Sequence, residues 1–490
     1  MSNLSELLPT GGGQNAVDFV ATGTLASGQA VILKTDGTVA AVSETATSQT
    51  LGTPVTFESA NTSHTATAYD STNNKIVVAY ADVGNSNYGT SVVGTVSGTS
   101  ISFGTPVVFK SAVTSLVSAT FDSDNNKVVI AYSVSGNPTY GAAIVGTVSG
   151  TTISFGTEVV YSSTYIDSIF IVFDSSSNKV VIAYNSVYST YGTAIVGTVS
   201  GTSISFGSAT TFNPAGSGQI GATFDSNENK VIIGYQDAGN GAYGTAIVGT
   251  VSGTGISFGS EVVYYAGNCG YIALTFDSSS NKVVIALRPN SPISGVAYVG
   301  TVSGTSISFG SPVTFSGTRV DFNAITYDSN ANKVVISYQD NLGGAKLIAG
   351  TVSGTSITFG TAVALDGNAA NPTTYISTAF DSTSNVVVTI YPYSTTSGKS
   401  IVFQNASTAT NNTDFIGITS EAISSGATGA INTYGGINTA QTGLTIASDY
   451  YVQSDGSLAA GVTSIPYDIS SATYTQNFSV SSQDTSPQGL

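Results

Sequence analysis

The residues able to do acid, base or nucleophile chemistry are few in this chain. It has one histidine, His64, one cysteine, Cys269, and two arginines, Arg288 and Arg319, in 490 residues. A multi-histidine metal centre is excluded, and a Ser-His-Asp site would have to be built around His64. Its place in NTSHTATAY, ahead of a strand-like run, suits a loop or strand residue better than a catalytic one. A single cysteine allows neither an intrachain disulfide nor a cysteine metal cluster.

Carboxylates are the remaining catalytic candidates, because a glycosidase needs two acidic residues that flank the bond it breaks. Six aspartates occur in segments that differ from one sequence repeat to the next, but the sequence does not show which of them lie close together. They are Asp82, Asp167, Asp237, Asp321, Asp340 and Asp366. A sialidase-type propeller is similar in outline only, since its tryptophan-containing Asp box and its third arginine are missing. We expect no enzymatic activity and no cofactor.

A second set of aspartates recurs at steps of 51 to 53 residues, each after an aromatic residue and before a short polar turn. They are Asp70, Asp122, Asp174, Asp225, Asp277, Asp328 and Asp381. The turns resemble the opening of a calcium loop but lack the glycine and distal glutamate of an EF-hand. They predict Asx-type turns, in which the side chain bonds its own backbone, and no metal site. In six units a lysine follows that pairs by position with the aspartate: Lys75, Lys127, Lys179, Lys230, Lys282 and Lys333.

The elements that position these residues are four short β-rich runs in each repeat. A period near fifty with several such runs predicts a β-propeller, because one unit cannot bury its own faces and stacked neighbours can. A fourth-strand motif, Gly followed by Thr or Ser, begins before the first aspartate: Gly52, Gly104, Gly156, Gly207, Gly259, Gly310 and Gly360. The strand near 51–58 should therefore complete the last blade and close the ring. We predict an all-β fold with a seven-bladed propeller of four-stranded blades over residues 50–404.

The two faces of such a propeller differ in this sequence. The first-to-second and third-to-fourth turns are uniform, whereas the second-to-third and fourth-to-first loops, such as YSSTYIDS and YYAGNCGY, differ from blade to blade. Function concentrates on loops held by a rigid scaffold, and Tyr and Asn are favoured in recognition loops. The candidate binding residues on this variable face are Tyr88, Tyr140, Tyr165, Tyr188, Tyr191, Tyr243, Tyr264, Tyr265, Asn268, Asn290, Asn341, Tyr375 and Tyr393, with further amides at Asn87, Asn137 and Asn240. Unconstrained drift of the loops is the alternative.

A further ring of tyrosines closes the second strands, and its regular recurrence predicts packing, not binding. Its members are Tyr80, Tyr132, Tyr184, Tyr235, Tyr338 and Tyr391, with Leu287 as the exception.

Composition restricts the partners. The chain carries 12 Lys plus Arg against 28 Asp plus Glu, a net charge of -16, which argues against nucleic acid and anionic membranes. No apolar run approaches the roughly 18 residues that span a bilayer, and the opening residues do not form a secretory signal. We therefore expect synthesis in a cytoplasm.

The flanks of the repeat read as two halves of a small β-domain into which the propeller is inserted. We assign 1–49 and 405–460 to this anchoring domain and 461–490 to a tail that resembles the start of another repeat, either a remnant or a truncated one. The phrases GTLASGQAVILKTDGTV, FIGITSEAISSGATG and GLTIASDYYVQSDGSL, with the repeats FDSSSNKVVIAY and VGTVSGTSISFGT, are similar to modules of tailed-phage virion proteins, especially of marine phages.

This resemblance implies a virion structural protein, a tail fibre, spike or head fibre. Its partners would be other virion proteins, and fibres of this kind are commonly trimeric. Three functions follow: an adhesin whose loops bind a host surface glycan or protein, a capsid-decorating or purely structural protein, and a glycan-processing enzyme, which the missing arginine, Trp and His residues disfavour. No catalytic residues come with the resemblance.

Overall fold

The computed structural model describes residues 16–136, 139–186, 191–340, 344–365, 375–393, 396–411, 415–432, 449–452, 458–459 and 478–479. The chain divides into two compact units, one of residues 48–405 and one that combines 1–47 with 406–490. Within the described residues, regular structure consists of β-strands and two short 3-10 helices, Val83–Asn85 and Ala238–Asn240. None of the described residues forms a helix long and apolar enough to cross a bilayer.

The larger unit is a β-propeller made of four-stranded antiparallel blades, numbered here by their aspartate repeats from Asp70 to Asp381. The first strands are Thr62–Asp70, Val107–Asp122, Ile166–Asp174, Ser217–Asp225, Val262–Asp277, Asp321–Asp328 and Ser377–Asp381. The second strands are Lys75–Asp82, Lys127–Val134, Lys179–Ser186, Lys230–Asp237, Lys282–Pro289, Lys333–Gln339 and Val386–Tyr393. The third strands are Tyr88–Ser97, Tyr140–Ser149, Gly192–Ser200, Tyr243–Ser252, Gly295–Ser303, Ala345–Ser353 and Ser397–Gln404.

Each fourth strand is interrupted after its FG motif and pairs with the third strand in two pieces. In blades 1 to 6 these pieces are Ser100–Phe103 with Val107–Asp122, Thr152–Phe155 with Val159–Ser162, Ser203–Phe206 with Thr210–Asn213, Gly255–Phe258 with Val262–Asp277, Ser306–Phe309 with Val313–Ser316, and Ser356–Phe359 with Val363–Ala364. Two strands, Val107–Asp122 and Val262–Asp277, thus serve as fourth strand of one blade and first strand of the next. The segment YYAGNCGY, which we expected to be a loop, therefore lies within a strand, where Asn268 pairs with Tyr243 and Cys269 with Pro289.

The ring is closed by chain from before the first repeat. Thr50–Leu51 and Val55–Glu58 pair with the third strand of blade 7, with Leu51 opposite Phe403 and Glu58 opposite Gly398. The closing strand replaces an exposed sheet edge by hydrogen bonds between the two ends of the ring.

The propeller core lies between the blades. The second strands are almost wholly buried, because they face a neighbouring blade on both sides, and they read as near-continuous apolar runs such as KVVIAY. The tyrosines at their ends are at most 5% exposed, and Leu287 is fully buried, which confirms that this ring packs the core. Tyr132 lies 5.2 Å from Phe109 between ring centroids, and Tyr235 lies 5.1 Å from Phe212. Each contact joins the fourth strand of one blade to the second strand of the next and adds aromatic packing between the blades.

The smaller unit contains a five-stranded sheet drawn from both flanks. Its strands, in spatial order, are Ala16–Val20, Thr428–Asn432, Phe415–Thr419, Ala30–Leu33 and Val39–Ala41. Val31, Val39, Ile416 and Ile431 form its buried face. A second ladder pairs Ser43–Thr47 with Ser407–Asn411. Three short strands, Asp449–Val452, Leu458–Ala459 and Phe478–Ser479, form a separate sheet. The rest of the proposed tail lies outside the described residues.

Candidate functional site

The repeated aspartates form Asx turns, as their sequence predicts. All seven are at most 3% exposed. In blade 2 Asp122 Oδ1 accepts hydrogen bonds from the backbone N–H groups of Asp124 (3.1 Å) and Asn125 (2.9 Å), and the other turns repeat this pattern. The asparagine four residues after each aspartate adopts a left-handed conformation, with φ between 50° and 55°, for example Asn126. The carboxylates are thus occupied by their own turns and not presented to a ligand.

The lysines that follow these turns do not form salt bridges with the repeated aspartates, although their positions in the sequence suggest it. In the described part of the chain no salt bridge joins the two sets. Lys179 Nζ instead donates to the carbonyl oxygens of Ser177 (3.4 Å) and Asn178 (3.2 Å). The aspartates lie inside the turn with their oxygens already hydrogen-bonded, so the longer lysine side chain bonds the backbone at the surface.

A different set of residues meets at the opposite end of the propeller, where the first strands begin. A cavity of about 250 Å³ opens there, lined by the residues five and six positions before each aspartate and, in blade 3, also by Asp167 at the seventh position. Every blade contributes, which places the opening on the axis of the ring. Its members are His64, Thr65, Leu116, Val117, Asp167, Ser168, Ile169, Gln219, Ile220, Tyr271, Ile272, Phe322, Asn323, Tyr375 and Ile376. We call it the channel-mouth cavity.

The sixth position before the aspartate has an unusual backbone. In six blades it is a non-glycine residue with φ between 49° and 53°: His64, Leu116, Gln219, Tyr271, Phe322 and Tyr375. In blades 1, 2, 4, 5 and 6 the pairing of the first and second strands shifts register beside it, as between Ser63 and Ala66. The extra residue of such a bulge bends the strand and turns a side chain in a new direction. A left-handed conformation costs a non-glycine residue roughly 1–2 kcal/mol.

Hydrogen bonds between neighbouring blades hold this strained ring. Gln219 Oε1 accepts a hydrogen bond from the N–H of Tyr271 (2.7 Å), and Asn323 Nδ2 donates to the carbonyl oxygen of Tyr271 (3.1 Å). The Thr65 hydroxyl donates to the carbonyl oxygen of Tyr375. Backbone groups beside the bulges are therefore satisfied by side chains of a neighbouring blade.

Four of the side chains in the ring are aromatic and come from adjacent blades. Ring centroids are 4.1 Å apart for His64 and Tyr375, 5.3 Å for Tyr375 and Phe322, and 4.9 Å for Phe322 and Tyr271. We call His64, Tyr375, Phe322 and Tyr271 the aromatic arc. Burial lowers the pKa of His64 to about 4, so the imidazole is uncharged at neutral pH.

A polar network adjoins the end of the arc. The Arg288 guanidinium lies over the Tyr271 ring at 4.6 Å and pairs with Asp321, which also accepts from Arg319 Nε at 2.7 Å. Arg288 Nη2 donates to Asn290 Oδ1 at 2.9 Å, and Asn290 in turn donates to the side chain of Asn268. The two arginines thus share one carboxylate that is almost buried.

The loop acids fall into two groups. Asp82, Asp237, Asp321 and Asp340 are each between 5% and 8% exposed and bond their own loops or a cation, as Asp340 does with Lys346 at 2.8 Å. Asp167 is exposed, and it is the one carboxylate among the described residues that line the cavity. Asp366 lies outside the described residues. No group of three or more His, Cys, Asp or Glu side chains in the described ranges is arranged to hold a metal ion.

Most of the binding residues predicted from the loops do not line the channel-mouth cavity. Among the predicted residues that the structure describes, Tyr375 alone lines it. Asn268 and Asn290 belong to the adjoining polar network, and the Tyr265 hydroxyl donates to the carbonyl oxygen of Ser291 at 3.3 Å. Tyr191 is 44% exposed outside the cavity. Half-buried positions are held by Tyr88, Tyr140, Tyr165, Tyr243 and Tyr393. Tyr188, Asn341 and Asn137 lie outside the described residues.

Three of these tyrosines have partners of their own. The Tyr140 hydroxyl accepts from Lys110 Nζ (2.8 Å) and donates to Glu158 Oε1 (3.1 Å), and Lys399 Nζ lies 3.3 Å from the centroid of the Tyr393 ring. The prediction that Tyr264 lies on the binding surface is wrong. The residue is only 8% exposed, because strand alternation directs it inward against Tyr298 and Phe309.

Sequence reasoning did not single out Leu116, Ser168, Gln219, Tyr271 or Phe322. The signal available for them is their fixed distance of six residues before the aspartate. Their types differ from blade to blade, so no motif marks them.

Comparison with known proteins shows no match to a protein family or to a curated protein. Among solved structures, the β-propeller domain of Myceliophteria thermophila Cps50 (Swd1) aligns with 71% of this chain and 98% of its own at 8% identity and a TM-score of 0.47. The Dos1 propeller aligns with 73% of this chain and 95% of its own at 10% identity and a TM-score of 0.45.

Proposed function

We propose that this protein is a non-enzymatic attachment protein of a tailed-phage particle, and that its propeller binds a host surface glycan or protein through the channel-mouth cavity. The observation that carries the proposal is the ring of six left-handed, non-glycine residues around one opening. Such strain persists where the surrounding structure enforces it, and it clusters at binding and catalytic sites. Packing alone would be served at lower cost by glycine, with its freedom at positive φ.

Variation among the blades supports a binding role for this end of the channel. The sixth position before the aspartate carries His64, Leu116, Ser168, Gln219, Tyr271, Phe322 and Tyr375, whereas the residue directly before the aspartate is Phe or Tyr in every blade. A second cavity of about 470 Å³ is lined partly by those repeated aromatics. An aromatic residue repeated in every blade is typical of packing. Residues that vary from blade to blade at the channel mouth suit the recognition of an asymmetric ligand.

The carboxylates support a binding site without hydrolysis. A glycosidase needs an acid and a second carboxylate on opposite sides of the scissile bond. The described lining of the cavity offers Asp167 alone. The other described loop acids are engaged by backbone N–H groups, arginines or lysine.

The virion assignment is based on the sequence resemblance and is tested separately. Antibodies against the chain are applied to purified particles and located by immunogold electron microscopy. Label at a fibre tip is the expected result. Label in a regular lattice on the head would favour the capsid-decorating alternative, and unlabelled particles would contradict a virion role.

The binding role is tested with the fluorescent full-length chain on intact bacterial cells. Tyr271→Ala removes an aromatic side chain of the arc. Tyr69→Ala is the matched control, because Tyr69 lines the second cavity at the other end of the first strand. We expect saturable binding that weakens at least tenfold with Tyr271→Ala and is unchanged with Tyr69→Ala. Circular dichroism checks that both variants are folded. Equal binding by both variants would refute the channel-mouth site.

A further inference from the structure

Building on the proposed function, we propose that the channel-mouth cavity takes an uncharged sugar ring, whose apolar face stacks on the aromatic arc while its hydroxyls donate to Asp167. The ligand class is therefore a neutral saccharide and not a sialylated, uronic or sulfated one. Three properties of the site carry this inference: the shape of the arc, the distribution of charge and the position of Asp167.

The arc places four aromatic side chains from adjacent blades along one side of the opening. Its successive centroids are 4.1, 5.3 and 4.9 Å apart, and neighbouring rings are tilted by 42° to 55°. Aromatic faces carry partial negative charge, and the C–H groups on one face of a pyranose carry partial positive charge. The apolar face of a sugar ring can therefore pack against one of these rings and leave its hydroxyls directed towards the rest of the opening.

The charges near the arc are already compensated. Arg288 lies on Tyr271 and shares Asp321 with Arg319, so it supports the aromatic ring and is not free to bind an anion. Neither arginine lines the cavity, and no lysine does among the described residues. His64 is uncharged at neutral pH because burial lowers its pKa to about 4. An anionic sugar would find no cation in this lining.

Asp167 supplies hydrogen-bond acceptors on the other side. It belongs to blade 3, which lies across the ring from the blades of Phe322 and Tyr375. Asn185 Nδ2 donates to Asp167 Oδ1 at 2.7 Å, and Asn185 is itself buried and accepts from the backbone N–H of Ser217 at 3.1 Å. One oxygen of the carboxylate is thus bound by a buried amide. A carboxylate accepts from sugar hydroxyls strongly and repels a second carboxylate.

The size of the opening is consistent with a small unit of a longer glycan. Its volume of about 250 Å³ is below the range of roughly 300–1,000 Å³ typical of pockets for drug-sized ligands. A single pyranose with its neighbours projecting outward fits this description better than a peptide loop.

The test uses the full-length chain on an array of neutral oligosaccharides, including lactose, maltose and N-acetylglucosamine oligomers, beside sialyllactose, glucuronate oligomers and sulfated glycans. The variants are Tyr271→Ala, Asp167→Asn and the control Tyr69→Ala, with folding checked by circular dichroism. We expect binding to neutral glycans that falls at least tenfold with each of the first two variants and is unchanged with the third. It should also be unchanged between about 50 and about 500 mM NaCl, because no ion pair is formed.

Three results would overturn the inference, and they differ in what they say of the proposed function. Binding of cells or of charged glycans, without any neutral glycan and lost on Tyr271→Ala, would leave the cavity as the attachment site but reject the neutral saccharide. Binding neither to cells nor to any glycan would reject both. Neutral-glycan binding that is insensitive to Tyr271→Ala and Asp167→Asn would place the saccharide elsewhere and overturn the inference as well.

Discussion

Replacing the glycine of the fourth-strand motif should cost stability in one blade and not in another. A Cβ added at Gly156 in blade 2 would lie 1.9 Å from the carbonyl oxygen of Thr202, in the third-to-fourth turn of blade 3. Five other blades repeat this close approach with the threonine of the following blade. At Gly360 the nearest atom to an added Cβ is the carbonyl oxygen of Ala349 at 3.7 Å, an ordinary contact. Blade 7 has no GTVSGT turn to meet Gly360.

The magnitude follows from these distances. An ordinary carbon-to-oxygen contact is longer by about 1.5 Å than the gap at Gly156, and a backbone carbonyl cannot rotate away as a side chain can, so two blades must move apart. Overpacking of this kind costs typically about 1–3 kcal/mol. Gly→Ala also restricts the unfolded chain, which stabilises by about 0.4–1 kcal/mol. Neither glycine has a positive φ. We expect Gly156→Ala to destabilise by about 2 kcal/mol and Gly360→Ala to be neutral or slightly stabilising.

Urea unfolding of the full-length chain, followed by circular dichroism, measures this difference. The unfolding midpoint of Gly156→Ala should fall below that of the wild type, with the slope unchanged, and that of Gly360→Ala should not. Equal effects of the two substitutions would refute the contact between blades as the reason for the repeated glycine. A wild-type midpoint for Gly156→Ala would show that the blades separate at no cost.

Three further predictions concern single side chains. Asp122→Ala removes the acceptor of two backbone N–H groups and should lower the free energy of unfolding in urea by about 2 kcal/mol. Asp124→Ala, at an exposed neighbouring position, should change it by no more than about 0.5 kcal/mol. Similar losses in both variants would contradict the Asx turn. The single His64 should titrate by NMR with a pKa of about 4, and a midpoint near 6.5 would refute its burial. Because the imidazole of the unfolded chain protonates first, near pH 6.5, the wild type should lose more stability than His64→Gln between pH 6.5 and about 4. Burial raises the pKa of the Cys269 thiol to about 12, so a thiol reagent at about pH 8 should modify it only when the chain unfolds. Rapid modification of the native chain would contradict the burial of this thiol.

The sequence predicts the parts of this molecule that repeat. The Asx turns, the left-handed asparagines such as Asn126, the buried tyrosines such as Tyr132 and the closing strand at 51–58 all follow from motifs whose physical role is the same in every blade. Backbone geometry fixes these residues, so they recur and can be recognised by counting.

The candidate site is not predictable in this way. Its side chains are placed by bulges, and Leu116 and Tyr271 have different chemistry although they occupy the same backbone position. Tyrosines near loops attract attention, yet Tyr264 alternates into the core and Tyr140 binds Lys110 and Glu158. The continuous strand Val262–Asp277 likewise reads as a loop because its AGNCG segment is rich in small and turn-forming residues, and only cross-strand pairing keeps it extended.

The closing strand affects how the propeller can be exchanged during evolution. Because Thr50 lies opposite Gln404, the chain enters and leaves the ring at adjacent points. An entire propeller could be exchanged for another through two neighbouring crossover points, without altering the strands that the flanks contribute to their own sheet. Residues 48–405 can thus be inherited as one cassette, separately from the flanks.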